Sequence, residues 1–292
     1  MDEDAGARTR ILPSDGKRDT RSGVRLPEDE EAGSESAEGE VGEKVMGFLD
    51  HLEELRMTLF KCVVAFVIGA VLVAFFFSEF KAFLDWPMER GKLTSGHPEV
   101  MQTITNSMMG AFSVFISIGF LGAVFFSMPF MLIFLGQFIA PALTPKEKRL
   151  LTPAAIVALL LFVAGGAFAF FLLMPSVIEF SIKSNVILQT AYLLPLDSYY
   201  STVTWMVLGL GAAFQFPMIL QILIYLDLIT VHTLRNWRRL AVVVCMVVAA
   251  LITPTPDAIP MLMCAVPLYL LYEAAIIVAR VYTAPLAARS RA

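Results

Sequence analysis

Asp50, Glu53 and Glu54 stand three and four residues apart, so in a helix they share one face, and carboxylates gathered on one face can hold a cationic partner. On the other side Phe48, Leu52, Leu55 and Leu59 recur at four, three and four residues, the apolar stripe of an amphipathic helix. Arg56 and Lys61 close the segment just where an apolar run of membrane length begins. Spacing leaves two readings open: an interfacial helix with a solvated acidic face, or a preformed carboxylate site for a basic partner. Other chemistry is scarce. Cys62, Cys245 and Cys264 sit singly in apolar runs without a CxxC pair, and His51, His97 and His232 are scattered, so neither a disulfide framework nor a metal site is expected. The chain lacks HExxH and GxSxG, which leaves membrane proteolysis or lipid hydrolysis without a metal or a nucleophile. The expectation is a protein that binds, needs no cofactor, and is not an enzyme.

The elements that must position these carboxylates are membrane helices. Of 292 residues 57% are hydrophobic and only 16% charged, with a mean hydropathy of +0.71, which points to several spans. Six are expected, near 57–77, 110–135, 153–173, 201–224, 240–252 and 258–278, the fifth too short to cross a full-thickness bilayer upright. Long loops at 79–109 and 174–200 separate the first from the second span and the third from the fourth; the former is expected to hold a short interfacial helix around Phe80, Phe83, Leu84 and Trp86. Residues 1–45, with the run GluAspGluGlu at 28–31 and no aromatic, form an acidic segment expected to be disordered, and they show no cleavable signal pattern.

Charge fixes the expected orientation. With the N-terminus in the cytoplasm, Arg56, Lys61, Lys146, Lys148, Arg149, Arg235, Arg238, Arg239, Arg280, Arg289 and Arg291 lie inside, against Lys81, Arg90, Lys92 and Lys183 outside. Eleven against four predicts both ends in the cytoplasm. No expected span carries an Asp, Glu, Lys or Arg near its middle, which speaks against an ion-coupled pump.

Three motifs share this topology: HisLeuGluGluLeuArg at 51–56, PheIleAlaProAlaLeuThrProLysGluLysArg at 138–149, and ThrProThrProAsp at 253–257. Together they resemble the TatC family, the multi-spanning receptor subunit of the twin-arginine protein translocase, over about 46–282, leaving 1–45 and a cytoplasmic tail at 283–292 outside the resemblance. The resemblance implies an all-α polytopic protein of the bacterial cytoplasmic (inner) membrane. Its six helices would form a cupped arrangement with the last two spans short, which fits the bends expected at Pro129, Pro217 and Pro267. It implies export of folded proteins driven by the proton-motive force. The paired arginines of signal peptides would meet Glu54 and Glu147, with Phe138 and Arg56 beside them. Two guanidinium forks are well matched by two carboxylates; the bland alternative for Glu147 is a solvated loop charge.

Pro87 and Asp257 match recurrent positions of the family's outer loops, for which a turn proline and a turn cap are the plainer readings. The implied partners are TatA-type and TatB-type single-span subunits, further copies of the receptor, and membrane lipid, with no nucleic acid. Two departures bear on partner docking. Gln215 stands where relatives commonly carry a glutamate, and Pro260 and Met261 stand where they commonly show Ser-Gln. The competing class is a polytopic channel or solute transporter, which would place its binding groups at the membrane midplane instead of the rim.

Overall fold

The computed structural model describes the backbone of residues 48–105, 108–142, 145–225, 228–253 and 258–289; side chains of 48–50, 142–147, 150 and 281–289 are outside the description. The segment 1–45 and Asp257 therefore lie outside the described residues.

In hydrocarbon every backbone N–H and C=O must find a partner within the protein, which leaves helices as the way for these apolar runs to cross. The first is α1 (Phe48–Phe75), whose amphipathic opening continues into the membrane stretch without a break. After a one-residue turn at Phe76 comes α2 (Phe77–Ser95), then a parallel-paired strand β1 (Met101–Ile104) and the second membrane helix α3 (Met108–Ile139). A 3-10 turn (Ala140–Ala142) leads to α4 (Pro145–Phe168), which passes through a π turn (Ala169–Leu173) into α5 (Met174–Ile187). Strand β2 (Tyr192–Pro195) pairs with β1 in the register Met101 to Tyr192. The chain then returns through α6 (Leu196–Ala213), α7 (Phe216–Tyr225), the short α8 (Val231–Asn236), α9 (Arg238–Ile252) and α10 (Ala258–Arg289).

Among the described residues, five stretches are long and apolar enough to cross a membrane: His51–Phe75, Met108–Ile139, Leu151–Ile187, Leu196–Tyr225 and Ala258–Arg280. The sixth, α9, has 15 residues and reaches about 22 Å at 1.5 Å per residue, so its expected shortness holds. The last helix differs from expectation. At 32 residues α10 is not short, and it carries helical backbone to Arg289, into the stretch expected as a tail.

Two expected loops are also helical. The interfacial segment is a 19-residue helix because Leu84, Pro87, Gly91 and Ser95, at spacings of three, four and four, form its buried stripe. Proline and glycine there read as breakers, yet Gly91 is what lets α2 touch α5: a Cβ on it would stand 2.8 Å from Ile178 Cβ and 3.0 Å from the Pro175 carbonyl oxygen. The other expected loop is largely α5. Proline in a helix clashes with the carbonyl four residues back, and the π turn ending at Leu173 widens the helix immediately before Pro175. The third crossing thus runs 37 residues without leaving helix.

Of the three expected bend prolines, Pro129 and Pro267 sit in helices that continue through them, whereas Pro217 follows a break at Phe214 and Gln215 between α6 and α7.

The core is built around α6, whose Val203, Met206 and Leu210 are fully buried against Ile118 and Leu121 of α3, Leu173 and Ile178 of the third crossing, and Ala249, Cys264 and Leu268 of the last two helices. Helices α1 and α3 lie so close that a Cβ on Gly69 would be 2.8 Å from the Ala123 carbonyl oxygen. A second apolar cluster, including Leu220, Leu234, Tyr272 and Ile276, joins α7 and α8 to α10. Tyr199 and Tyr200 open α6 fully buried, and their hydroxyls donate to the Leu84 carbonyl oxygen at 2.6 Å and to the Asp85 carboxylate. Lys81 completes this tie by donating to the other Asp85 oxygen at 2.8 Å. That end of the bundle, with α2 and the strands, is the far end below; the near end carries the start of α1.

Candidate functional site

At the near end, the first turn of α1 and the last turn of α3 are joined by an aromatic contact. His51 stacks on Phe138 with ring centroids 4.6 Å apart and planes 23° from parallel. Because α1 and α3 pack along their length, with Phe66 against Phe120 deeper in the bundle, this contact fixes where the acidic turn of α1 stands. Phe138 lies just before the 3-10 turn (Ala140–Ala142), and α4, which carries Glu147, begins at Pro145.

The carboxylates of α1 are not equivalent. Arg56 donates to Glu53 Oε1 at 2.8 Å, an i,i+3 pair in which both side chains are more than two-thirds exposed. Glu54, one position on, is half-buried, and its Oε2 is buried without a hydrogen-bond partner among the described residues. A carboxyl oxygen withdrawn from water and left without a partner costs on the order of 1–3 kcal/mol, which a cationic donor would offset. Arg56 is thereby seen as the counter-ion of Glu53, at a place where the sequence had grouped it with the binding residues. Glu147 lies in the first turn of α4, but its side chain is outside the described residues. Lys148 and Arg149, which follow it, are exposed.

The remaining expected positions are spread through the fold. Gln215 occupies the break between α6 and α7, and its Nε2 donates to the Ala158 carbonyl oxygen of α4 at 2.9 Å. The carbonyl that Pro217 leaves free belongs to Ala213, so the amide serves a neighbouring helix and not its own kink. Pro87 is buried in α2 at the far end, remote from the acidic turn. Pro260 is buried in the first turn of α10, and Met261 packs against the main core. Both residues are therefore engaged within the chain.

Sequence reasoning missed a second charged cluster at the near end. Arg238, the first residue of α9, donates to Glu273 Oε2 at 2.7 Å, and Tyr269 donates to the other Glu273 oxygen at 2.9 Å. Tyr272 adds a bond to the Leu234 carbonyl oxygen at 2.6 Å, so α8, α9 and α10 are tied together by polar contacts beneath the rim. The i,i+4 spacing of Tyr269 and Glu273 was the available signal; the partner from α9 was not, because 35 residues separate it. Among the described residues no group of three or more His, Cys, Asp or Glu side chains could hold a metal ion.

The arrangement has known counterparts. Residues 50–267 match the family model described as Sec-independent protein translocase protein (TatC). A relative named Sec-independent protein translocase protein TatC from Deinococcus radiodurans is 32% identical over 236 residues, covering 80% of this chain and 85% of its own length. One of the same name from Aquifex aeolicus is 32% identical over 240 residues, covering 82% and 96%. The fold is similar to that in a crystal structure of Twin Arginine Translocase Receptor TatC, with a TM-score of 0.68 at 32% identity, covering 80% of this chain and 99% of that one.

Proposed function

The chain belongs to the TatC family of Sec-independent protein translocase proteins, and on that footing we propose that it is the receptor and core subunit of a twin-arginine translocase. It binds the paired arginines of signal peptides at the near end and serves the export of folded cargo, driven by the proton-motive force. The observation that carries this reading is the Glu54 carboxylate, with one oxygen buried and unpartnered among the described residues while the neighbouring Glu53 is paired with Arg56. An arginine guanidinium supplies the missing donors in a bidentate fork, and a second arginine needs a second carboxylate, for which Glu147 holds the family position. Phe138 braces the first carboxylate's helix through His51.

In this reading the near end faces the cytoplasm of a bacterial inner membrane, in keeping with the excess of Lys and Arg at that end. TatA-type and TatB-type subunits with single spans are the partners, further copies of the receptor join the complex, and the protein catalyses no covalent step. Gln215, an uncharged hydrogen-bonding group at the break between α6 and α7, keeps the role of the family glutamate toward a polar residue of a partner's single span, while Pro260 and Met261 are engaged within this chain. The deciding experiment is capture of a twin-arginine signal peptide by the detergent-solubilised protein, set beside the same peptide with two lysines. Lysine keeps the charge but loses the fork, so retention of the arginine peptide alone supports a specific site, and equal capture of both argues against it.

A further inference from the structure

Between α3 and α4 at the near end lies a groove of about 480 Å³. Its polar lining is concentrated where α3 ends and α4 begins: Gln137 is in the last turn of α3, and Lys148 and Thr152 stand on successive turns at the start of α4. Moving away from that mouth the walls become apolar, with Ile133 and Pro129 on α3 and Ile156 and Leu159 on α4. Gly136 helps create the opening, since a Cβ there would meet nothing within 4 Å. Among the described residues no carboxylate pairs with Lys148.

A slot with one cation at its mouth and only hydrocarbon along its depth complements an amphiphile with an anionic head and an apolar tail. We propose that this groove is a binding site for an anionic phospholipid, the phosphate meeting Lys148 with Gln137 and Thr152 as hydrogen-bond partners, and one acyl chain running between Ile133 and Ile156. Basic pockets between membrane helices take lipid headgroups for this reason. The apolar segment of a signal peptide is the other occupant to weigh. A peptide's apolar segment carries no anion to meet Lys148 at the mouth, whereas a phosphate does, so the charge favours lipid. Lys148 follows Glu147 in the chain, but the lipid site does not depend on the role assigned to that glutamate.

The test is native mass spectrometry of the full chain released from detergent micelles doped with phosphatidylglycerol or with phosphatidylcholine of identical chains. One phosphatidylglycerol should be retained in preference to phosphatidylcholine. Lys148→Gln should lower that retention about fivefold, the value of a single lysine near a headgroup. Gly136→Leu, placed where a Cβ would meet nothing within 4 Å, should abolish it, with the melting temperature read alongside to show that the variant is folded. Equal retention of the two lipids by the unmodified protein overturns the proposal, as does phosphatidylglycerol retention that either variant leaves intact. Loss of signal-peptide binding in Gly136→Leu with lipid retention preserved assigns the groove to the peptide instead.

Discussion

His51 stacks on Phe138 at 4.6 Å, joining the first turn of α1 to the last turn of α3. Removing the ring frees the start of α1 from its only described aromatic brace, and an aromatic pair is worth about 0.5–1.5 kcal/mol beyond the area it buries. Phe138→Ala should therefore weaken signal-peptide binding by about twofold to tenfold, and Phe138→Tyr should retain most of it. Isothermal titration with a synthetic signal peptide measures both; an undiminished affinity in the Ala variant would detach Phe138 from recognition.

Glu53 and Glu54 are adjacent yet differently engaged, and their variants should separate. A hydrogen bond to a charged group contributes about 1.5–3 kcal/mol, so Glu54→Ala should cost about tenfold to somewhat over a hundredfold in peptide affinity. Glu147→Ala should fall in the same range. Glu53→Ala only breaks an exposed pair with Arg56, worth about 0–1 kcal/mol, and should change affinity little. The same titration reads all three, and equal losses at Glu53 and Glu54 would reveal a diffuse electrostatic patch.

Gln215 already has a partner in the Ala158 carbonyl, and interhelical bonds of this kind average about 0.6 kcal/mol. Gln215→Leu should thus lower the melting temperature slightly and leave peptide binding unchanged, while reducing crosslinking to a single-span partner and export. Gln215→Glu should be tolerated, because a buried neutral carboxyl offers the same donor and acceptor. Normal export and crosslinking in the Leu variant would confine the amide's role to α4.

At the far end, Asp85 receives both Lys81 and the buried Tyr200 hydroxyl. Asp85→Ala strands that hydroxyl and should cost about 1–3 kcal/mol, read as a lower melting temperature in detergent, with signal-peptide affinity unaffected because the near end is untouched. Tyr200→Phe removes the stranded group as well and should cost less. A larger loss in Tyr200→Phe than in Asp85→Ala would mean the hydroxyl has another acceptor.

Orientation is testable by fusion. A reporter joined after Ala292 should be cytoplasmic, and one inserted at Gly96, in the exposed turn after α2, should be external. An external C-terminus would reverse the charge argument.

Composition and spacing were enough to determine the membrane class, the six apolar runs, the shortness of the fifth, and the acidic turn ahead of the first. These properties are local: a run of oil must be helical in lipid, and residues three and four apart share a face wherever the helix is placed. Three motifs in order were likewise enough to indicate the family. What only the tertiary structure decided is pairing between distant segments. That α2 is a full helix depends on Gly91 meeting Ile178, a contact between residues 87 positions apart that turns apparent breakers into a packing surface. That Arg238 meets Glu273, or that His51 meets Phe138, depends on which helices become neighbours, and a one-dimensional pattern does not encode that. The division of labour between Glu53 and Glu54 is of the same kind. The sequence presents two equal carboxylates, and burial leaves one paired with Arg56 at the surface and the other with an oxygen that has no partner among the described residues.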